Sequence, residues 1–171
     1  MTVRLWLVRH GDTEWSDSGR LNGWRDVPLN AAGRRQAMAL RSVLAGRRFA
    51  SVRSSDLSRA LSTARIAAGI AVPDSRLREL DFGALEGATW DRVPAATQRA
   101  LLSFDDFAAP EGESVPHLRR RVREAIDELP DGDHLVVSHG GVIRLLLRDA
   151  GQDQRVEPGG VRTVWYRGPG R

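Results

Sequence analysis

Short apolar runs alternate along the chain with longer stretches in which apolar residues return every three or four positions, a pattern that predicts strands and helices layered as α/β. Val3 to Val8 reads as the first strand. Asn30 to Leu44 reads as a helix: Asn30 offers an N-cap oxygen, Ala37, Leu40 and Leu44 share a face, and Gly46 closes the end. A second strand–helix unit follows in Phe49 to Ser54 and Leu57 to Ala68, with Asp56 as the expected N-cap and Gly69 as the stop. Ile70 to Val72 is expected to form a short strand, after which Pro73, Gly83, Gly87 and Pro94 break the pattern and predict a loop-rich middle up to Pro116. Helical periodicity returns from Ser114 to Leu129, with Leu118, Val122, Ile126 and Leu129 on one face. Leu135 to Val137 reads as a buried strand, Val142 to Leu147 as a nearly all-apolar helix and Val161 to Tyr166 as a closing strand.

Composition narrows what such a layered chain can do. With 171 residues, 41% of them hydrophobic and 28% charged, and no apolar run long enough to span a bilayer, the sequence predicts one globular domain over 1–171. Cysteine is absent, which excludes a disulfide scaffold, a thiolate zinc site and a cysteine nucleophile. There is no lysine either, so all 26 basic residues are arginine, set against 22 acidic ones for a net charge of +4. Schiff-base and P-loop chemistry, which need lysine, are thereby excluded. Arginine forks fit phosphate and carboxylate oxygens, which favours a small anionic ligand. The N-terminal residues enter the first strand without a secretory pattern, so a cytoplasmic location is expected.

In α/β sheets ligands bind beyond the carboxyl ends of the strands, and here two strand runs end in His-Gly. The first reads Leu7-Val8-Arg9-His10-Gly11 and the late one Val136-Val137-Ser138-His139-Gly140-Gly141. Two such ends can meet across neighbouring strands. Arg9-His10-Gly11 is followed by Trp15, Leu21-Asn22-Gly23-Trp24, Pro28-Leu29 and Gly33, then by Ser54-Ser55-Asp56-Leu57-Ser58-Arg59-Ala60 with Thr63-Ala64. Next come Leu77-Arg78-Glu79-Leu80-Asp81-Phe82-Gly83 with Glu86-Gly87, Gly112-Glu113-Ser114 and Ser138-His139-Gly140. Taken in order, these segments resemble the histidine phosphatase superfamily, the phosphoglycerate-mutase-like proteins, over nearly the whole chain.

The resemblance implies a three-layer α/β/α fold with a mainly parallel sheet, an antiparallel edge strand near Val161 to Tyr166, and a small cap inserted at about 84–113. It implies that His10 is a nucleophile carrying a phosphohistidine, with neither metal nor cofactor required. Arg9, Arg59 and His139 would supply positive hydrogen-bond donors to the phosphoryl oxygens, and the N-terminus of the helix carrying Arg59 would add its dipole. Glu79 matches the family's general acid, protonating the leaving alkoxide and then activating water. The plainer alternative for Glu79 is an ion pair with Arg76 or Arg78. Asn22, Ser16 and Gly140 fall at substrate-contacting positions, although Asn22-Gly23 is equally a turn signal. Ser16 stands where many relatives have Asn, and Asp12 where Glu is more usual. Glu113 would orient a pocket arginine or simply begin its helix.

Several residues carry a blander expectation. Arg119, Arg120, Arg121 and Arg123 form a basic run, but Arg120 with Glu124 and Arg123 with Asp127 are four apart on one helix and predict mutual pairing rather than nucleic-acid binding. His117 and His134 are expected at a helix start and a strand edge, and Trp6 and Trp165 packed on the sheet. The short cap and tail favour hydrolysis over the mutase chemistry of longer relatives, because a mutase must shield its phosphohistidine from water. The stretch from Leu77 to Trp90, with Ala100-Leu101-Leu102, Phe104 and Phe107, is similar to short bacterial α-ribazole phosphatases. A small phosphorylated metabolite is the expected partner, with no nucleic acid or membrane, and a homodimer is compatible with the sequence.

Overall fold

The computed structural model describes residues 2–166. Its sheet has the order β3-β2-β4-β1-β5, formed by β1 (Val3–Arg9), β2 (Ser51–Ser54), β3 (Val72–Pro73), β4 (Gly132–Ser138) and β5 (Val161–Tyr166). All pairings are parallel except that of β5 with β1, so the expected antiparallel edge strand is present. The central strands β1 and β4 are apolar on both faces, as parallel strands covered by helices must be. Successive side chains divide between two cores. Leu5, Leu7 and Val136 pack with Leu118, Val122 and Ile143, whereas Trp6, Val8, Leu135 and Val137 pack with Leu40, Leu44, Ala60 and Ala64. This division makes the three layers, with α2 (Ala31–Leu44) and α3 (Ser58–Ala68) on one face and α5 (Val115–Asp127) and α6 (Gly140–Asp149) on the other.

The caps fall where the side-chain chemistry predicts, with one exception. The Asn30 side chain accepts from Gly33 N at 2.8 Å and starts α2, and Ser114 accepts from His117 N at 3.2 Å and starts α5. Asp56 does not cap α3. Its carboxylate pairs with Arg78 at 2.7 and 2.6 Å, and Leu57 takes the N-cap position while Asp26 Oδ1 accepts the amide of Ser58 at 2.8 Å.

Other expectations are also revised. A four-residue helix, α1 (Glu14–Asp17), follows the first strand, and the middle of the chain contains a further helix, α4 (Ala95–Ser103). Only Leu101 of α4 is buried, so its sequence carries little periodic signal. The strand expected over Ile70 to Val72 lies at Val72–Pro73. His134 is at no edge: it is buried in β4, with Nδ1 2.8 Å from Ser51 Oγ and Nε2 2.8 Å from Pro130 O. Trp6 packs as expected, but Trp165 is 58% exposed on the edge strand, with the Arg4 guanidinium 5.3 Å from its ring centroid. Arg119 and Arg123 reach across to Asp149 on α6, at 3.3 and 2.9 Å. No helix among the described residues is long and apolar enough to cross a membrane.

Candidate active site

Strand register brings the two histidines together. Val8 pairs with Val137 and Arg9 with Ser138, so His10 and His139 each stand one residue past their strand. The His10 amide donates to Ser138 O at 3.0 Å, and the two rings lie 5.0 Å apart between centroids. The turn after β1 is held by a close backbone approach: a Cβ on Gly11 would sit 2.4 Å from Gly33 O, and one on Gly33 would sit 2.1 Å from Asp12 O. Gly11 N also donates to Thr63 Oγ1, which in turn donates to Arg59 O, at 3.1 and 2.7 Å.

His10 is buried, with Nδ1 2.7 Å from its neighbour's carbonyl, Gly11 O. That contact places the ring proton on Nδ1 and leaves the Nε2 lone pair free. Burial pushes the His10 pKa down to about 3, the Arg59 and Arg9 charges push it the same way, and the Gly11 hydrogen bond opposes them. The imidazole is therefore neutral throughout the physiological range, as a nucleophile must be.

Arg59 is fully buried in the first turn of α3. Its Nη1 donates to Arg25 O at 2.9 Å, and its Nη2 donates to Gly23 O at 2.6 Å and Asn22 O at 3.3 Å, so it shapes the 22–25 turn from beneath. Arg9 Nη1 donates to Val156 O at 2.8 Å. What these groups do not bond is equally informative. Arg9 Nε, Arg59 Nε, both polar atoms of the Asn22 side chain and His139 Nδ1 are buried without a partner in the chain. Buried donors are costly unless an acceptor meets them, so four residues of the predicted set require a polar partner from outside the protein.

His139 departs from its expected role in one respect. Burial above all, then Arg59, His10, Arg121 and Arg9, hold its pKa well below that of an ordinary histidine. It is thus a neutral hydrogen-bonding group here, and the arginines alone supply positive charge. The helix-dipole expectation for α3 is likewise revised, since Asp26 already occupies that N-terminus.

Glu79 is free of the alternative proposed for it. Arg76 pairs with Asp74 and Glu128, and Arg78 with Asp56. The Glu79 carboxylate instead accepts from Leu80 N and, at the N-terminus of α6, from Gly141 N, both at 2.9 Å. Its backbone is held from two sides, by Trp24 Nε1 at 2.9 Å and Arg121 Nη2 at 2.8 Å, both donating to Glu79 O. Arg121 also donates to Arg76 O and Arg78 O, at 2.8 and 2.7 Å, and forms a two-pronged pair with Glu113 at 2.7 Å on each prong. The arginine that Glu113 orients is therefore one that grips the segment carrying Glu79. Its signal was present in the sequence: Arg121 lies three residues after Leu118, on the buried face of α5.

Ser16 and Gly140 are placed differently. The Ser16 hydroxyl is engaged within its own turn, donating to Asp12 Oδ1 at 3.1 Å and accepting from Thr13 N at 2.8 Å. Gly140 lines the cleft, where a Cβ would meet only Arg9, at 3.6 Å. Its neighbour Gly141, not singled out from sequence, has no such room: a Cβ there would fall 2.3 Å from Glu79 Oε1.

Beside this centre lies a cleft of about 380 Å³, bounded by Arg9, Glu79 and Gly140 at one end and by Leu21, Phe82, Trp90, Leu101 and Phe104 along its walls. Arg144, stacked on Phe104 at 5.5 Å and paired with Asp153, and Arg155 complete its rim. Among the described residues no group of three or more His, Cys, Asp or Glu side chains could hold a metal ion.

Comparison with known proteins bears directly on this arrangement. Residues 5–158 match the model of the histidine phosphatase superfamily, branch 1, a span that contains every site residue described above. The chain belongs to that superfamily. Within it, the chain is 36% identical over 157 residues to the probable phosphoglycerate mutase GpmB of Yersinia enterocolitica and 39% identical over the same length to that of Salmonella arizonae, covering 85% of this chain and 73% of each relative. Among solved structures, TTHB049 from Thermus thermophilus is 42% identical with a TM-score of 0.88, covering 94% of this chain and 92% of that one. A chain described as "a putative alpha-ribazole-5'-P phosphatase from Escherichia coli" is 29% identical with a TM-score of 0.83, covering 98% and 92%. The phosphoglycerate-mutase-like fold and the superfamily are thus established, while the relatives' names divide between mutase and phosphatase.

Proposed function

We propose that this histidine phosphatase is a phosphomonoesterase acting through a phosphohistidine on His10. The observation that carries the reading is the set of buried, partnerless polar atoms on Arg9, Arg59, Asn22 and His139 around a neutral His10. In the first step His10 Nε2 forms a bond to phosphorus as the ester oxygen leaves, and a proton on Glu79 passes to that oxygen, giving the alcohol. In the second, Glu79 takes a proton from water, the water oxygen attacks phosphorus and the N–P bond breaks, releasing phosphate and restoring neutral His10. The arginines stabilise charge on the equatorial oxygens in both transfers. Glu113 acts only through Arg121, which fixes the backbone of Glu79.

The apolar, aromatic walls of the cleft suit a leaving group with a flat or greasy body, attached to phosphate at the Glu79 end. α-Ribazole-5′-phosphate, a heterocycle on a ribose phosphate, is the named candidate, and the likeness to the Escherichia coli chain supports it. The relatives called phosphoglycerate mutase favour a second reading, transfer of the phosphoryl group back to a bound phosphoglycerate. Phosphate release from α-ribazole-5′-phosphate, sugar phosphates and 3-phosphoglycerate, measured with chelator present and beside His10→Ala, separates the two. Release that disappears in the variant is expected. Interconversion of phosphoglycerates without release would install the mutase, and inertness toward every monoester would remove the enzymatic reading.

A further inference from the structure

His139 is fully buried, and its two ring nitrogens are in unequal positions: Nε2 is 2.8 Å from Ser55 Oγ, and Nδ1 has no partner in the chain. Burial and the surrounding arginines leave the ring a single proton, so only one nitrogen can be a donor. The serine decides which. Ser55 is itself buried, and its Oγ accepts the amide proton of Leu57 at 3.3 Å, which leaves its hydroxyl proton to be given away; the acceptor within reach is Nε2. The opposite polarity, Nε2–H donating to Ser55, would leave the buried hydroxyl proton of Ser55 without this acceptor and would turn a lone pair on Nδ1 toward any anion beside it.

We propose that Ser55 is a positioning residue: it donates its hydroxyl proton to Nε2 of His139, holds the imidazole as the Nδ1–H tautomer, and so makes the partnerless Nδ1 a neutral donor to a phosphoryl oxygen. His10 and His139 then share one tautomer put to opposite uses. In His10 the Nδ1 proton is spent on Gly11 O and the lone pair attacks; in His139 the lone pair is spent on Ser55 and the proton is offered. The donor role rests on the phosphoryl-transfer reading above, whereas the tautomer does not.

The test is nitrogen-15 NMR of the full chain with labelled histidine, which reads the protonated ring nitrogen directly. The wild-type protein at neutral pH is expected to show His139 as Nδ1–H, and titration with inorganic phosphate is expected to move that signal. Ser55→Ala should mix the two tautomers, weaken phosphate binding and lower kcat/KM by about ten- to a hundredfold, while Ser55→Thr, which keeps the hydroxyl, restores the single tautomer. A wild-type ring protonated at Nε2, or an unchanged tautomer and rate in Ser55→Ala, overturns the proposal, and the wild-type spectrum decides even if the variant fails to fold. An Nδ1–H signal in a protein that hydrolyses no monoester supports the tautomer and overturns the proposed function.

Discussion

The histidine centre and the cleft beside it are built on opposite principles. At the histidine centre His10, His139, Arg59 and Glu79 are buried and fixed by backbone: His10 and His139 by the β1–β4 register, Arg59 by the carbonyls of residues 22, 23 and 25, and Glu79 by two amides. Along the cleft the walls come from side chains on separate segments, Leu21, Phe82, Trp90, Leu101 and Phe104, of which Leu101 and Phe104 are buried and the other three are not. Backbone-held groups cannot vary without disturbing the sheet, whereas a wall residue can be exchanged with local consequences. On the proposed function the chemistry is set at the histidine centre and selectivity along the cleft, and substitutions should divide accordingly.

The sharpest division is expected from His10→Ala. Removing the nucleophile should lower turnover by at least about four orders of magnitude while the protein stays folded and still binds inorganic phosphate through its arginines. Retained turnover, measured as single-turnover phosphate release, would move the nucleophile elsewhere and end the argument for this centre.

The next effect comes from a methyl group. Gly141→Ala places a Cβ 2.3 Å from Glu79 Oε1 and must displace the carboxylate, so kcat should drop by about 10²–10³-fold. Gly140→Ala, one residue away and meeting only Arg9 at 3.6 Å, should be nearly silent. Equal losses in the two variants would show that helix disruption, not the position of Glu79, controls the rate.

These glycines also mark how far the sequence could be read. The strand ends carrying His10 and His139 were legible because apolar runs closing in His-Gly constrain the local backbone, and the order of motifs did the rest. Gly141 was not, because its importance lies in a contact with a residue 62 positions away. Arg121 was hidden within an arginine run that reads as solvated charge, although its helical spacing put it inside. Helix α4 escaped because burial of one leucine leaves no period to detect, and Asp56 was misread as a cap because Arg78, distant in sequence, competes for its carboxylate. At Gly141, Arg121 and Asp56 a local rule was overridden by a long-range partner.

The buried histidines make the histidine centre sensitive to acid in a defined window. His10, with a folded pKa of about 3, and His139, also well below its ordinary value, stay neutral while the unfolded chain takes up protons near pH 6.5. Their contribution to stability is complete above that pH and is lost as pH falls toward the folded values, by about 1.4 kcal/mol per pH unit for each histidine. Denaturant unfolding at pH 6.5 and pH 5 should therefore show a loss in His10→Ala that is about 2 kcal/mol smaller than in wild type, the remainder being the share of His139. An identical pH slope in the two proteins would mean that His10 is accessible and charged, and would undo its assignment as a buried neutral nucleophile.

The smallest effect should appear at the cleft walls and should change ranking rather than rate. Trp90 is half-buried on the cleft and its loop carries no group of the phosphoryl centre, so Trp90→Ala removes apolar area from the leaving-group side alone. Stacking of a flat leaving group on such a ring is worth about 0.5–1.5 kcal/mol, so KM for an aromatic monoester should rise by up to about tenfold with kcat little changed. For a small sugar phosphate, which does not reach the wall, neither constant should move. A uniform fall in kcat for both substrates would show instead that the wall helps to hold Glu79, and the separation of the two regions would fail at the residue where it is easiest to test.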